Sequence, residues 1–262
     1  MASTRIHPLA VVDPAARIGA GVTVGPFSVI GPDVVLEDGV EVKSHAVVTG
    51  WTDVGAGTVI FPHATVGEVP QDLKYRGERT RLIIGARCRI REGATLNTGT
   101  EGGGGVTRVG DDCLLMTGSH VGHDARLGDR VILANQVAIA GHCQIGDDVI
   151  IGGLSGIHQW VRVGQGAIIG AVTMVTNDVI PYGLVQGPRG ELDGLNLVGL
   201  KRRGTDRGDI QALRAAYDIL AKGEGTFLDR VRLVAETATS PQVLEMTAFI
   251  LGGSDRSFLT PK

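Results

Sequence analysis

His120, His123 and Asp124 lie close together in the segment SHVGHD (119–124), and His142, His158 and Gln159 follow downstream. An imidazole with an ordinary pKa of about 6.5 can take a proton from a hydroxyl at neutral pH. A neighbouring carboxylate can orient the ring or balance its charge. His123 is therefore read as a general base with Asp124 as its partner, although adjacent residues on a strand or turn usually diverge. Gly141 has no side chain, so its N–H can approach a developing oxyanion. No serine stands in a nucleophile-elbow context, so direct attack by a substrate hydroxyl is the expected route. His120, His123 and His142 form a conceivable zinc triad. The HxxH pair spans a turn rather than one face, however, and no metal site is assigned. No cofactor is expected.

A repeat of six residues supplies the frame for these groups. From Ile6 the first position of each hexad reads Ile6, Val12, Ile18, Val24, Ile30 and Leu36, and so on to Val66. The phase resumes at Ile84, Ile90 and Leu96, then restarts one residue later at Val109 and runs to Val175. Every first position is Ile, Val or Leu, and the fifth is small or β-branched. Two apolar positions in six do not trace a helical face. They suit short flat strands joined by turns, and three such hexads close one coil of a parallel β-helix. Residues eighteen apart then stack roughly 4.8 Å apart. His142 falls above Asp124, Gly141 above His123, and Gln159 above Gly141, with His158 beside that column. Cys88, Cys113 and Cys143 occupy fifth positions and are expected to be interior fillers.

The expected fold is mainly β. A β-helix domain spans 1–190 with loop insertions at 68–81 and 101–108, and a small helical domain follows at 191–262. The glycine-rich second insertion lacks the Lys and Ser/Thr of a phosphate-binding loop and is expected to be flexible. Pro181, Gly183, Gly187, Pro188, Gly190 and Gly194 mark a linker. After it, Ile210, Leu213, Tyr217 and Leu220 recur at helical spacing, with further helices expected around Phe227–Val234 and Val243–Leu251. The chain has 40 glycines in 262 residues and 43% hydrophobic residues, which excludes a disordered chain. A net charge of −3 suggests no nucleic-acid partner. There is no apolar run long enough to span a membrane and no recognisable signal peptide, so a cytoplasmic location is expected.

The segments GEVPQDLKYRGE (67–78), IREGATLNTGT (90–100), SHVGHD (119–124), LANQVAIAGH (133–142), IGGLSGIHQW (151–160) and NLVGLKRRG (196–204) point further. Together they resemble the UDP-N-acetylglucosamine O-acyltransferases of lipid A biosynthesis, members of the hexapeptide-repeat acyltransferase family. The resemblance implies a left-handed parallel β-helix, an exception to the right-handed crossover rule, and a homotrimer with active sites between subunits. It implies transfer of an (R)-3-hydroxyacyl chain from acyl carrier protein to the 3-hydroxyl of UDP-N-acetylglucosamine. In that reaction His123 matches the general base, Asp124 its partner and Gly141 the oxyanion donor. Asp72 and Lys74 match loop residues that reach the sugar and acyl chain from a neighbouring subunit. His120, His142, His158 and Gln159 match pocket residues, and Asn196, Arg202 and Arg203 match nucleotide contacts. Asn97 stands where the family often has His, and Val198 where an acidic residue often contacts the nucleotide. Ala171 falls at the position that sets acyl-chain length, where its methyl implies shorter chains than a Gly-bearing relative takes. The main competing reading is a β-helical scaffold without catalysis, under which the charged insertion at 68–81 has no evident purpose.

Overall fold

The structure is a computed structural model that describes residues 3–254 and 256–261. The hexads form two-residue strands that wind into the left-handed parallel β-helix. Its three flat faces are sheets of eleven, nine and eight strands. Each coil advances eighteen residues: Leu133 pairs with Ile151, Ile139 with Ile157, and Ile145 with Val163. Val54 pairs with Ile84 and Ile90 with Leu115, so the register survives both insertions. First-position residues point inward and are buried, except at the open amino-terminal end, where Ile6 is 46% exposed. The apolar stack stabilises the coil by removing aliphatic surface from water. Truncating a member such as Ile139 to Ala should cost about 2–5 kcal/mol. The three cysteines are buried within the same stack.

The turns between strands also follow from the hexad. In the regular coils the third position donates no ladder hydrogen bond, and Pro8, Pro14, Pro26, Pro32 and Pro62 stand there. The fourth position takes the left-handed conformation in Asp124 (φ 60°), His142 (φ 62°) and Trp160 (φ 67°). Non-glycine residues rarely adopt that conformation.

Three segments differ from expectation. The stretch read as a linker contains an antiparallel hairpin, Gly183–Gln186 with Glu191–Leu195, which extends the eleven-stranded sheet. Its glycines and prolines serve a hairpin turn, and composition alone does not separate a turn from a linker. The insertion expected at 101–108 is shorter, because Val106–Val109 is already a strand of the next coil. A short helix α1 (Leu197–Arg202) precedes the three expected ones, α2 (Arg207–Lys222), α3 (Phe227–Thr237) and α4 (Pro241–Leu251). Ile210, Leu213 and Leu220 of α2 are buried, as their spacing implies.

The carboxyl-terminal tail returns to the coil. Asp178, fully buried, accepts hydrogen bonds from Arg162 Nε (2.7 Å) and the Arg162 backbone N–H (2.8 Å). Its own backbone N–H donates to the Ser257 carbonyl, and Leu259 N–H donates to the Asp178 carbonyl. This fastening brings Arg256 to the edge of the site described next.

Candidate active site

The nine-stranded sheet carries Thr95–Asn97, His120–Val121, Ala138–Ile139, Gly156–Ile157 and Met174–Val175 side by side. Small outward residues, Gly122, Ala138, Ala140 and Gly156, hollow its outer surface into a cleft of about 480 Å³. His120, His123, Gly141, His158 and Gln159 line this cleft, as do Gln71, Asn97 and Met174.

His123 and Asp124 are both buried. Contrary to the expected divergence, their side chains meet: His123 Nδ1 lies 2.9 Å from Asp124 Oδ2. The left-handed backbone at Asp124 is the structural reason, because it turns the carboxylate back toward the preceding side chain. An ionised carboxylate only accepts hydrogen bonds, so Nδ1 carries the proton and Nε2 keeps its lone pair. Gly141, one coil on, lies against the ring, and a Cβ there would fall 2.6 Å from Nε2. Gly141 occupies the third hexad position, and among the described residues its N–H donates to no carbonyl. A proton acceptor and an unused N–H donor therefore border the same space.

His142 stacks face to face on Trp160, with ring centroids 3.8 Å apart, and meets His123 edge-on at 4.9 Å. Burial holds its pKa below the ordinary imidazole value, although the Asp124 charge pulls the other way. Burial, aided by His123, also lowers the pKa of His120, whose Nδ1 lies 2.8 Å from Thr95 Oγ1. His158 is exposed, and its Nδ1 lies 2.9 Å from Arg256 Nη2 and 3.2 Å from the Gln159 carbonyl oxygen. Ligand atoms of His123, Asp124 and His142 lie within 4.8 Å of one another. The Asp124 oxygens already accept hydrogen bonds from Thr100 N–H (2.9 Å) and Thr100 Oγ1 (2.6 Å), so the cluster is a hydrogen-bonded network.

The loop carrying Asp72 and Lys74 follows the strand Thr65–Glu68. It lies over its own chain's cleft, where Gln71 is part of the lining and the charges of Asp72 and Lys74 act on His142. Asn97 Nδ2 donates to the Val69 carbonyl at 3.0 Å, while its buried Oδ1 has no partner among the described residues.

Asn196, Arg202 and Arg203 lie elsewhere. With Arg130, Ile132, Asp148, Ile150, Ile168, Val198 and Gly199 they line a cavity of about 310 Å³ on the eleven-stranded sheet. Asn196 caps α1, its Oδ1 accepting from Gly199 N–H and its Nδ2 donating to the Gly166 carbonyl. Arg202 and Arg203 are exposed. Ala171 is exposed at the corner before Met174–Val175, outside the cleft lining. The sequence reading missed Met174, whose Cε and Sδ would meet a Cβ on Gly156 at 3.0 and 3.2 Å. It also missed Thr100 and Arg256. Contacts of Thr100 with Asp124 and Arg256 with His158 bridge 24 and 98 residues, which no hexad register reveals.

Comparison with known proteins extends this description. Residues 178–259 match the family described as UDP N-acetylglucosamine O-acyltransferase, domain 2, and residues 15–50 and 107–141 match the bacterial transferase hexapeptide family. The chain is 66% identical, over all of its length and 99% of the relative's, to an acyl-[acyl-carrier-protein]–UDP-N-acetylglucosamine O-acyltransferase of Paracoccus denitrificans. The protein of the same name from Rickettsia prowazekii is 54% identical over 98% of each chain. Among solved structures, LpxA of Acinetobacter baumannii superposes with a TM-score of 0.94 at 38% identity, covering 97% of this chain and 99% of that one. UDP-N-acetylglucosamine acyltransferase of Campylobacter jejuni gives 0.93 at 34% identity, covering 98% and 100%.

Proposed function

The chain belongs to the UDP-N-acetylglucosamine O-acyltransferase family, and on that premise we propose that it carries an acyl group from acyl carrier protein to the sugar of UDP-N-acetylglucosamine through the cleft around His123. The observation that carries this reading is the His123–Asp124 pair facing Gly141 across one cleft.

His123 Nε2 removes the proton from the sugar 3-hydroxyl as the oxygen attacks the thioester carbonyl carbon. A C–O bond forms, and the carbonyl oxygen becomes an oxyanion met by the Gly141 N–H. Asp124 balances the imidazolium that results. The intermediate collapses, the C–S bond breaks, and the carrier-protein sulfur takes the proton back from His123. Proton count and charge both close, and the enzyme returns to its starting state. This transfer of an (R)-3-hydroxyacyl chain is the first step of lipid A synthesis.

Asp72, Lys74, His120, His142, His158 and Gln159 surround the acceptor sugar and the start of the acyl chain. Arg202 and Arg203 suit the diphosphate, since guanidinium groups pair with phosphate oxygens in a fork. Their cavity opens on a different face of the prism from the cleft. Both halves reach one nucleotide sugar most simply where two copies meet, which favours a homotrimer with three shared sites. Ala171, exposed at its corner, takes part in setting chain length in that assembly. Among the described residues no helix is long and apolar enough to cross a membrane, and the reading places the reaction in the cytoplasm.

The test is incubation with UDP-N-acetylglucosamine and a panel of 3-hydroxyacyl carrier proteins, followed by mass spectrometry. The expected product is the acylated nucleotide sugar. Absence of product with every chain length, for both this nucleotide and its 3-amino analogue, overturns the reading.

A further inference from the structure

We propose that Thr100, at the start of the glycine-rich loop, is a positioning residue that holds Asp124 in place for His123; this rests on the reading of His123 as the base. The Asp124 side chain is fully buried, so each of its lone pairs needs a donor. Thr100 supplies two. Its backbone N–H donates to Oδ1 at 2.9 Å and its hydroxyl to Oδ2 at 2.6 Å. His123 shares Oδ2 at 2.9 Å. The hydroxyl proton of Thr100 thus fixes the oxygen that selects the His123 tautomer.

The local structure around Thr100 is arranged for this contact. Thr100 precedes the short 3-10 turn Glu101–Gly103 at the cap position, where a threonine oxygen ordinarily accepts from the turn's own N–H groups. It makes no such cap here, and its hydroxyl donates to Asp124. The loop approaches the carboxylate more closely than any side chain allows. A Cβ on Gly103 would lie 2.1 Å from Asp124 Cγ, and one on Gly99 would lie 2.8 Å from Oδ1. Neither glycine has a positive φ, so both are required for space. From below, Thr107 Oγ1 accepts the Asp124 backbone N–H at 2.8 Å. The insertion that reads in sequence as a flexible loop is therefore a clamp closed on one carboxylate.

The test compares Thr100→Val, Thr100→Ser and Asp124→Asn, singly and as the Thr100→Val/Asp124→Asn double variant, in the acyl-transfer assay. A hydrogen bond to a charged group implies that Thr100→Val lowers kcat about 10- to 100-fold, with KM for both substrates within about threefold of wild type. Thr100→Ser keeps the hydroxyl and should stay within about threefold of wild type in kcat. In the Asp124→Asn background, Thr100→Val should cost little more, because its partner is already altered. Normal kcat in Thr100→Val overturns the proposal, as does an equal loss in Thr100→Ser or a full additional loss in the double variant. Retained activity in His123→Ala instead overturns the base assignment, so the two failures are told apart.

Discussion

The His123 ring fills the space that a side chain on Gly141 would need: a Cβ there would come 2.6 Å from both Cε1 and Nε2. One glycine thus serves two ends, leaving room for the base and presenting a free N–H beside it. Gly141→Ala should push the ring off its line to the substrate and disturb the oxyanion donor. The expected outcome is a kcat lowered about 10- to 1000-fold. The residue has no left-handed backbone to strain, so any fall in melting temperature comes from displacing the buried His123 ring. Steady-state kinetics with a thermal melt checks this, and unchanged kcat contradicts it.

Folding stability should carry the mark of the cleft histidines. His120 and His142 are both held below the ordinary value of 6.5, chiefly by burial. A histidine that binds its proton less readily when folded favours folding above that value. The benefit drains away as pH falls from about 6.5 toward the lower folded value. Wild type should therefore lose melting temperature more steeply between about pH 7 and 5 than a His120→Gln/His142→Gln variant. Parallel curves contradict the lowered affinity of these two rings for a proton.

Acyl-chain preference should respond to Met174. Its thioether lies over Gly156 in the cleft, where shortening it lengthens the apolar floor. Met174→Ala should move the optimum toward longer chains, by about one to two two-carbon units given close-packed side chains. Ala171→Gly should move it in the same direction by removing a methyl at the neighbouring corner. Competition among carrier proteins of different acyl length reads both shifts. An optimum unmoved in both variants removes this surface as the path of the chain.

The coil was legible because its period is unambiguous: aliphatic residues at every sixth position from Ile6 to Val66 fit one architecture. The eighteen-residue stacking that follows correctly put Gly141 above His123 and His142 above Asp124. What the pattern hid were departures from the regular coil. The left-handed φ at Asp124 reverses the divergence expected of adjacent residues. The hairpin at Gly183–Leu195 shares its glycine and proline content with a linker, and only strand pairing separates them. Thr100 and Arg256 act across loop and tail contacts that carry no periodic signal.

The central claim is proton removal by His123 within this cleft, and single-turnover formation of the acylated nucleotide sugar by His123→Ala tests it most directly. General-base catalysis is worth about 10²- to 10⁴-fold, so the account predicts a loss of that size in a variant that still melts like wild type. Turnover within about threefold of wild type, yielding the same product, would contradict it.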